Sequence, residues 1–305
     1  MPEEIIRRKR RLSSFQIIIL GFAGVILLGA LLLMLPISTT GGNVTPFNET
    51  LFTATSAVCV TGLVVQDTGS YWSGFGQAVI LALIQIGGLG VTSIGAGVIL
   101  AMGRKLDLKG RRLIREASNL DSNKGIVRFI KSVLLTTFII EFTGAVLSFF
   151  VFIQDYPLQK AIGISLFHSV AAFNNSGFDI LGNLQNLIPY QNNIMLNLVT
   201  CGLIFFGGIG FLVIREMWQY RLSFRKYSMH AKVVLSVSGV LIIVGTLLLK
   251  LTEDVTWLGA FFHSVSARTA GFSTYPLGTF SNAGLLVLTA LMFIGASPGS
   301  TGGGI

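Results

Sequence analysis

Three segments of the chain end in a glycine turn of the kind that bares backbone carbonyls. They run Phe52-Thr-Ala-Thr-Ser-Ala-Val-Cys-Val-Thr-Gly62, Phe167-His-Ser-Val-Ala-Ala-Phe-Asn-Asn-Ser-Gly177 and Phe262-His-Ser-Val-Ser-Ala-Arg-Thr-Ala-Gly271. A small residue, Thr61, Ser176 or Ala270, precedes each glycine, and the third copy is one residue shorter. Glycine permits positive φ and close backbone approach, so three such turns can aim carbonyl oxygens at one axis, and rings of carbonyls bind dehydrated cations. The candidate ion-lining residues are Cys59, Val60, Thr61 and Gly62; Asn174, Asn175, Ser176 and Gly177; and Arg268, Thr269, Ala270 and Gly271. No nucleophile, base and orienting group occur together, so nothing supports an enzyme. No His, Cys and carboxylate cluster has metal-ligand spacing, and Cys59 and Cys201 imply no disulfide framework. His168 and His263 share one position in two copies, where capping or packing of a short helix is expected.

The elements that must hold these turns are apolar. Hydrophobic residues make up 52% of the chain and charged residues 11%, and the mean hydropathy is +0.74. That composition belongs in a bilayer. Apolar runs long enough to cross it as helix are Phe15–Ile37, Tyr71–Gly103, Val133–Ile153, Asn193–Ile214, Val233–Leu249 and Ser281–Ile305. Of the 22 Lys and Arg, all but Lys160, Lys250 and Arg268 lie before the first run, between Arg104 and Lys131, or between Arg215 and Lys232. By the positive-inside rule the N-terminus is cytoplasmic and the three signatures enter from outside. The cations then serve as topology anchors against lipid headgroups, and no nucleic acid is needed to explain them. The first run lacks a small-residue cleavage site and ends at Leu35-Pro36, so a retained helix is expected.

The unit of repetition is apolar run, signature, apolar run. The runs after the signatures also resemble one another at Ile84-Gln-Ile-Gly-Gly-Leu-Gly90, Ile204-Phe-Phe-Gly-Gly-Ile-Gly210 and Met292-Phe-Ile-Gly-Ala-Ser-Pro-Gly299. Each unit has an even number of spans, so all units share one orientation, as parallel repeats about an axis along the membrane normal. Irregular backbone survives at membrane depth only when buried in protein or lining a wet cavity, so three short segments about one axis predict a pore lining. The fold class expected is an all-α membrane protein of helix–pore loop–helix repeats around a central ion pore, with the third incomplete and a fourth missing. The divisions are 1–14, a cytoplasmic N-terminus; 15–103, repeat one; 104–126, a cytoplasmic connection; 127–215, repeat two; 216–230, a second connection; and 231–305, repeat three. The glycine pairs Gly87-Gly88 and Gly207-Gly208 are expected to pack helices closely, with no transport role.

Two features stand outside the signatures. The stretch Gly295, Ala296, Ser297, Pro298, Gly299, Ser300, Thr301, Gly302, Gly303 and Gly304 cannot continue as helix, because glycine and proline disfavour helix interiors by about 1 and 3 kcal/mol. It lacks the lysine of a phosphate loop and follows no strand. Glu141 lies ten residues past Lys131, about 15 Å deeper along a helix. Arg268, the one basic residue in a signature, is its expected partner in a structural ion pair that holds the third pore loop.

With its triple signature, the Leu35-Pro-Ile-Ser-Thr39 exit and the Gln85-Ile-Gly-Gly-Leu-Gly90 segment, the chain resembles the Trk/Ktr/HKT superfamily of potassium transporters, most closely the membrane subunit of bacterial Ktr or Trk systems. The resemblance runs over essentially the whole chain. It implies a plasma-membrane, multi-pass protein that works as a homodimer and binds a cytosolic RCK-type nucleotide-binding ring, the nucleotide sitting on that partner alone. It makes the signature glycines the selectivity filter and, because position 62 is Gly rather than Ser, implies potassium as the ion. It makes 295–304 a gate loop beneath the filter. No covalent cofactor is implied. The family has four units, so the chain reads as a fragment lacking one. The alternatives are a sodium-coupled or sodium-conducting transporter and a non-transporting membrane scaffold.

Overall fold

The computed structural model describes residues 13–103, 108–117, 125–221 and 223–304. The basic run at 7–11, Arg104, Lys105 and Lys124 lie outside the described residues, as do parts of the N-terminal and first connecting divisions. Helices follow in the order α1 Ser14–Met34, α2 Phe47–Val58, α3 Gly74–Leu89, α4 Val91–Ala101, α5 Leu108–Ala117 and α6 Ile126–Phe152. Then come α7 Leu158–Phe173, α8 Ile194–Gly208, α9 Phe211–Tyr220, α10 Met229–Thr252, α11 Trp257–Ser266 and α12 Asn282–Ile294. Among the described residues no strand forms beyond one isolated bridge between Thr39 and Trp72.

Among the described residues three helices, α1, α6 and α10, are long and apolar enough to cross a membrane unbroken. Ser13 opens α1 with a reciprocal cap to Gln16, and Ser228 opens α10 by accepting from the Ala231 N–H. Their outward side chains, among them Leu28, Leu31, Phe138, Phe142, Ile243 and Leu247, stay exposed. Such a belt is costly in water and suited to lipid tails.

Three of the six expected spans do not run as one helix: the 281–305 run is helical only over Asn282–Ile294, and two others bend at a break. The 71–103 run divides into α3 and α4, which meet at 101°, and the 193–214 run into α8 and α9, which meet at 104°. Each break is a glycine in the left-handed region, Gly90 at φ +82° and Gly210 at φ +89°. There the backbone leaves the helix without a side-chain penalty.

The long helices carry the short ones. α1 packs on α2, α6 on α7 and α10 on α11, while α3, α8 and α12 close the other side of each short helix. The short helices begin well before the signature phenylalanines, because Pro46 and Pro157 fix the entry to α2 and α7 and the Thr256 hydroxyl caps α11 at the Gly259 N–H. Neighbouring triplets join through α3 against α7 and α8 against α11. A single buried cluster that includes Trp72, Phe152, Phe173, Phe178 and Phe262 runs through all three. This core fixes where α2, α7 and α11 end.

Candidate ion-lining site

All three short helices stop at a left-handed residue, by nearly the same hydrogen bonds. After α2, the Val60 N–H donates to Ala57 O at 3.3 Å and the Thr61 N–H reaches back to Ser56 O at 2.8 Å. After α7, Asn175 N–H donates to Ala172 O at 3.1 Å and Ser176 N–H to Ala171 O at 2.9 Å. This paired closure places a left-handed residue just past the cap, here Val60 at φ +54° and Asn175 at φ +55°. The shorter third copy closes with Ala270 N–H on Ser266 O at 2.9 Å and Thr269 at φ +71°. Holding β-branched Val60 and Thr269 there costs about 1–2 kcal/mol each. Two residues on, Gly62, Gly177 and Gly271 have φ of +80°, +70° and +78°, while Thr61, Ser176 and Ala270 between them are not left-handed. Two positive-φ residues, two apart, therefore recur in all three turns.

The turns meet one another in chain order. A Cβ on Gly62 would collide with Ser176 O, and one on Gly177 would lie 3.0 Å from Ala270 O and 3.1 Å from the Gly271 Cα. Backbone packs on backbone here with no room for side chains. A cavity of about 710 Å³ opens between the first and third copies, lined by Val58, Cys59, Val60, Thr61, Ser266, Ala267, Thr269 and Gly271 with Ser300–Gly303. Of the expected site residues, Asn174, Asn175 and Ser176 are fully buried, and none of the second copy lines that cavity.

The glycine pairs do pack closely, but their partners are the ends of the short helices. A Cβ on Gly87 would strike Val58 O and one on Gly207 would strike Phe173 O, the last helical carbonyls of α2 and α7. Gly88 faces the Asn174 side chain in the same way.

The 295–304 stretch leaves the helix as expected, at Gly295 with φ +68°, and folds into a loop pinned on several sides. Ser297 N–H and Thr301 N–H donate to Gly208 O and Gly207 O at 2.9 and 3.1 Å, satisfying carbonyls that α8 leaves free at its end. The Phe211 N–H donates to Gly299 O at 3.1 Å, tying the start of α9 to the loop. The Thr301 hydroxyl donates to Phe173 O at 2.9 Å, and the Gly303 N–H donates to the Thr269 hydroxyl at 3.0 Å. The loop therefore hangs from the second short helix and the third turn.

The expected ion pair between Glu141 and Arg268 does not form. Glu141 accepts from Gln85 Nε2 at 3.1 Å and from Asn174 Nδ2 at 3.2 Å, whereas Arg268 Nε donates to Gly295 O at 2.9 Å. Glu141 stands on the face of α6 turned to α3 and α7, and Arg268 turns toward the start of the loop. Sequence reasoning missed Gln85, whose only signal was an amide inside an apolar run.

It also missed a clamp in the connections. Asp67 accepts from the N–H and hydroxyl of Ser70 and, across to the second triplet, from the N–H groups of Asn183 at 3.1 Å and Leu184 at 3.2 Å. Gly182, Asn183 and Leu184 are consecutively left-handed and form a cradle of N–H groups. Burial raises the Asp67 carboxyl, but these hydrogen bonds outweigh it and leave the group below its ordinary 3.8. Burial pushes nearby Asp179 up to about 6, with Asp67 adding to the push. The two histidines divide. His168 Nε2 donates to the Thr200 hydroxyl at 2.9 Å, while His263 Nε2 is buried among aromatic rings with no partner among the described residues.

Long apolar helices with exposed apolar faces, set around three turns that pack backbone on backbone, define a helical protein of the membrane-spanning class. A family model described as cation transport protein, TrkH, matches residues 9–237 and 244–305, and the chain belongs to that family. It is 39% identical over 310 residues to the potassium/sodium uptake protein NtpJ of Enterococcus hirae, covering 98% of this chain and 68% of that protein. It is 36% identical over 313 residues to the Ktr system potassium uptake protein B of Vibrio alginolyticus, with the same 98% and 68% coverage. The potassium transporter TrkH from Vibrio parahaemolyticus shares the fold, at a TM-score of 0.70 and 18% identity over 98% of this chain and 60% of that one.

Proposed function

We propose that this chain takes up potassium across the plasma membrane through a carbonyl-lined filter built from Cys59–Gly62, Asn174–Gly177 and Arg268–Gly271. The observation that carries the reading is the repeated alternation of φ that ends in Gly62, Gly177 and Gly271, with those glycines in backbone contact. Backbone carbonyls replace an ion's hydration shell, and a shallow site releases the ion again. The short helices point their C-terminal ends at the turns, which adds partial negative charge. The loop 295–304 acts as the gate, since it borders the cavity through Ser300–Gly303 and is tied to the third turn through Thr269. In the assembled system the N-terminus is cytoplasmic, two copies associate, and a cytosolic nucleotide-binding ring moves the loop.

The name of the Enterococcus hirae relative includes sodium, which makes sodium transport the second reading. Potassium and sodium uptake by transport-deficient cells expressing the complete gene, with and without Gly62→Ser, separates them. Potassium uptake that loses its preference in the variant supports the filter. Uptake of sodium alone favours the second reading, and a variant indistinguishable from wild type removes the filter assignment.

A further inference from the structure

Glu141, Gln85 and Asn174 form a closed triangle of hydrogen bonds at the seam between the first and second triplets. Gln85 Nε2 donates to Glu141 Oε2 at 3.1 Å, Asn174 Nδ2 to Glu141 Oε1 at 3.2 Å, and Asn174 Nδ2 to Gln85 Oε1 at 2.8 Å. The corners come from α3, α6 and the cap of α7. The Ser169 hydroxyl adds a bond to Glu141 O at 2.6 Å, fixing α6 against α7 beside the triangle. Asn174 has no exposed surface; its Nδ2 also donates to Val170 O at 2.9 Å, and its Oδ1, which has no donor among the described residues, lies against Gly88, where a Cβ would displace it. The amide therefore has one orientation open to it.

Asn174 is also the first residue of the second turn, directly before left-handed Asn175 and two residues before Ser176, whose carbonyl is the atom Gly62 packs against. The side chain that the triangle holds thus sets where the second turn starts relative to the first. The corresponding caps, Cys59 after α2 and Ala267 after α11, carry no amide. From this juxtaposition we infer that Gln85 and Glu141 are positioning residues that hold the second turn in register with the first and thereby set the filter's ion preference. The inference rests on the filter reading above. A half-satisfied buried network is worse than none, so loss of either corner releases the whole triangle.

The test uses the complete gene product in proteoliposomes, with potassium and sodium uptake measured for Gln85→Leu, Glu141→Gln, Glu141→Leu and the double Leu variant. Either Leu change raises the KM for potassium about tenfold and raises sodium uptake relative to potassium. The double variant is no worse than the single ones, because one network is lost once. Glu141→Gln, which keeps one acceptor oxygen, falls between, and with Gln85→Leu it decides the matter should Glu141→Leu not accumulate. Normal KM and ion ratio in these variants, with only yield or melting temperature lowered, overturns the inference. Gly62→Ser and Gly177→Ser run beside them. If those glycine variants keep wild-type selectivity, the filter reading falls and the inference with it; if they lose it while Gln85 and Glu141 variants do not, only the inference falls.

Discussion

Replacing the three turn glycines by alanine ranks them by how tightly the backbone packs. Each sits at positive φ, so each alanine carries about 1–2 kcal/mol of left-handed strain. At Gly271 the nearest atom to the new Cβ is Gly177 Cα at 3.2 Å, and at Gly177 it is Ala270 O at 3.0 Å. At Gly62 the Cβ falls well inside 3.0 Å of Ser176 O, a backbone atom that yields only if one turn moves off the other. Forced overpacking of this kind adds about 1–3 kcal/mol. Gly62→Ala therefore costs about 3 kcal/mol at the ion site, roughly a hundredfold in potassium affinity, against about tenfold for Gly271→Ala. Gly95 in α4 has no atom within 4 Å of a new Cβ and no positive φ, so Gly95→Ala is the control, with less than about a threefold effect. The assay is potassium titration of melting temperature on purified protein, together with KM for uptake. Gly271→Ala as damaging as Gly62→Ala, or three variants that lower stability and leave potassium affinity alone, refutes the reasoning.

Gly207→Ala drives a Cβ into Phe173 O and the Thr301 hydroxyl, so the variant is expected to accumulate poorly and melt early, as measured by yield and fluorescence-detected size exclusion. Thr301→Val removes the donor to Phe173 O, a net loss of about 1 kcal/mol that loosens the loop and raises ion leak roughly fivefold in liposomes. Asp67 has a lowered pKa, so its stabilising contribution is present above its ordinary 3.8 and lost as pH falls through the lower folded value; the melting-temperature advantage of wild type over Asp67→Asn shrinks only in strong acid. Asp179 is raised to about 6, so its contribution is full below its ordinary 3.8 and is lost as pH rises through 6. Asp179→Asn should therefore gain melting temperature relative to wild type at pH 8 and show no gain at pH 4.

The signature glycines were legible because positive φ in a tight turn restricts the residue type, and all three are left-handed in the structure. The long helices were legible as apolar runs, charge-free except for Glu141 in the second of them. The breaks at Gly90 and Gly210 were not, since the sequence stays apolar on both sides and a lone glycine is tolerated in a helix. Nor were Val60 and Thr269 legible as left-handed residues, because β-branched side chains avoid that region and only tertiary packing holds them there. The Glu141–Arg268 pairing failed for a geometric reason. Counting residues along a helix gives depth, and depth says nothing about which face a side chain occupies; Glu141 faces the first triplet and Arg268 the loop. Nothing in the sequence marks Asp67 as a clamp, because its partners in the second triplet are backbone N–H groups more than a hundred residues away.

Anomalous diffraction from crystals of the complete gene product grown in rubidium measures the ion's position directly. The account predicts density bounded by the carbonyls of Cys59–Gly62, Asn174–Gly177 and Arg268–Gly271, abolished when sodium replaces rubidium. Density confined to some other part of the protein, or the same density in sodium, contradicts it.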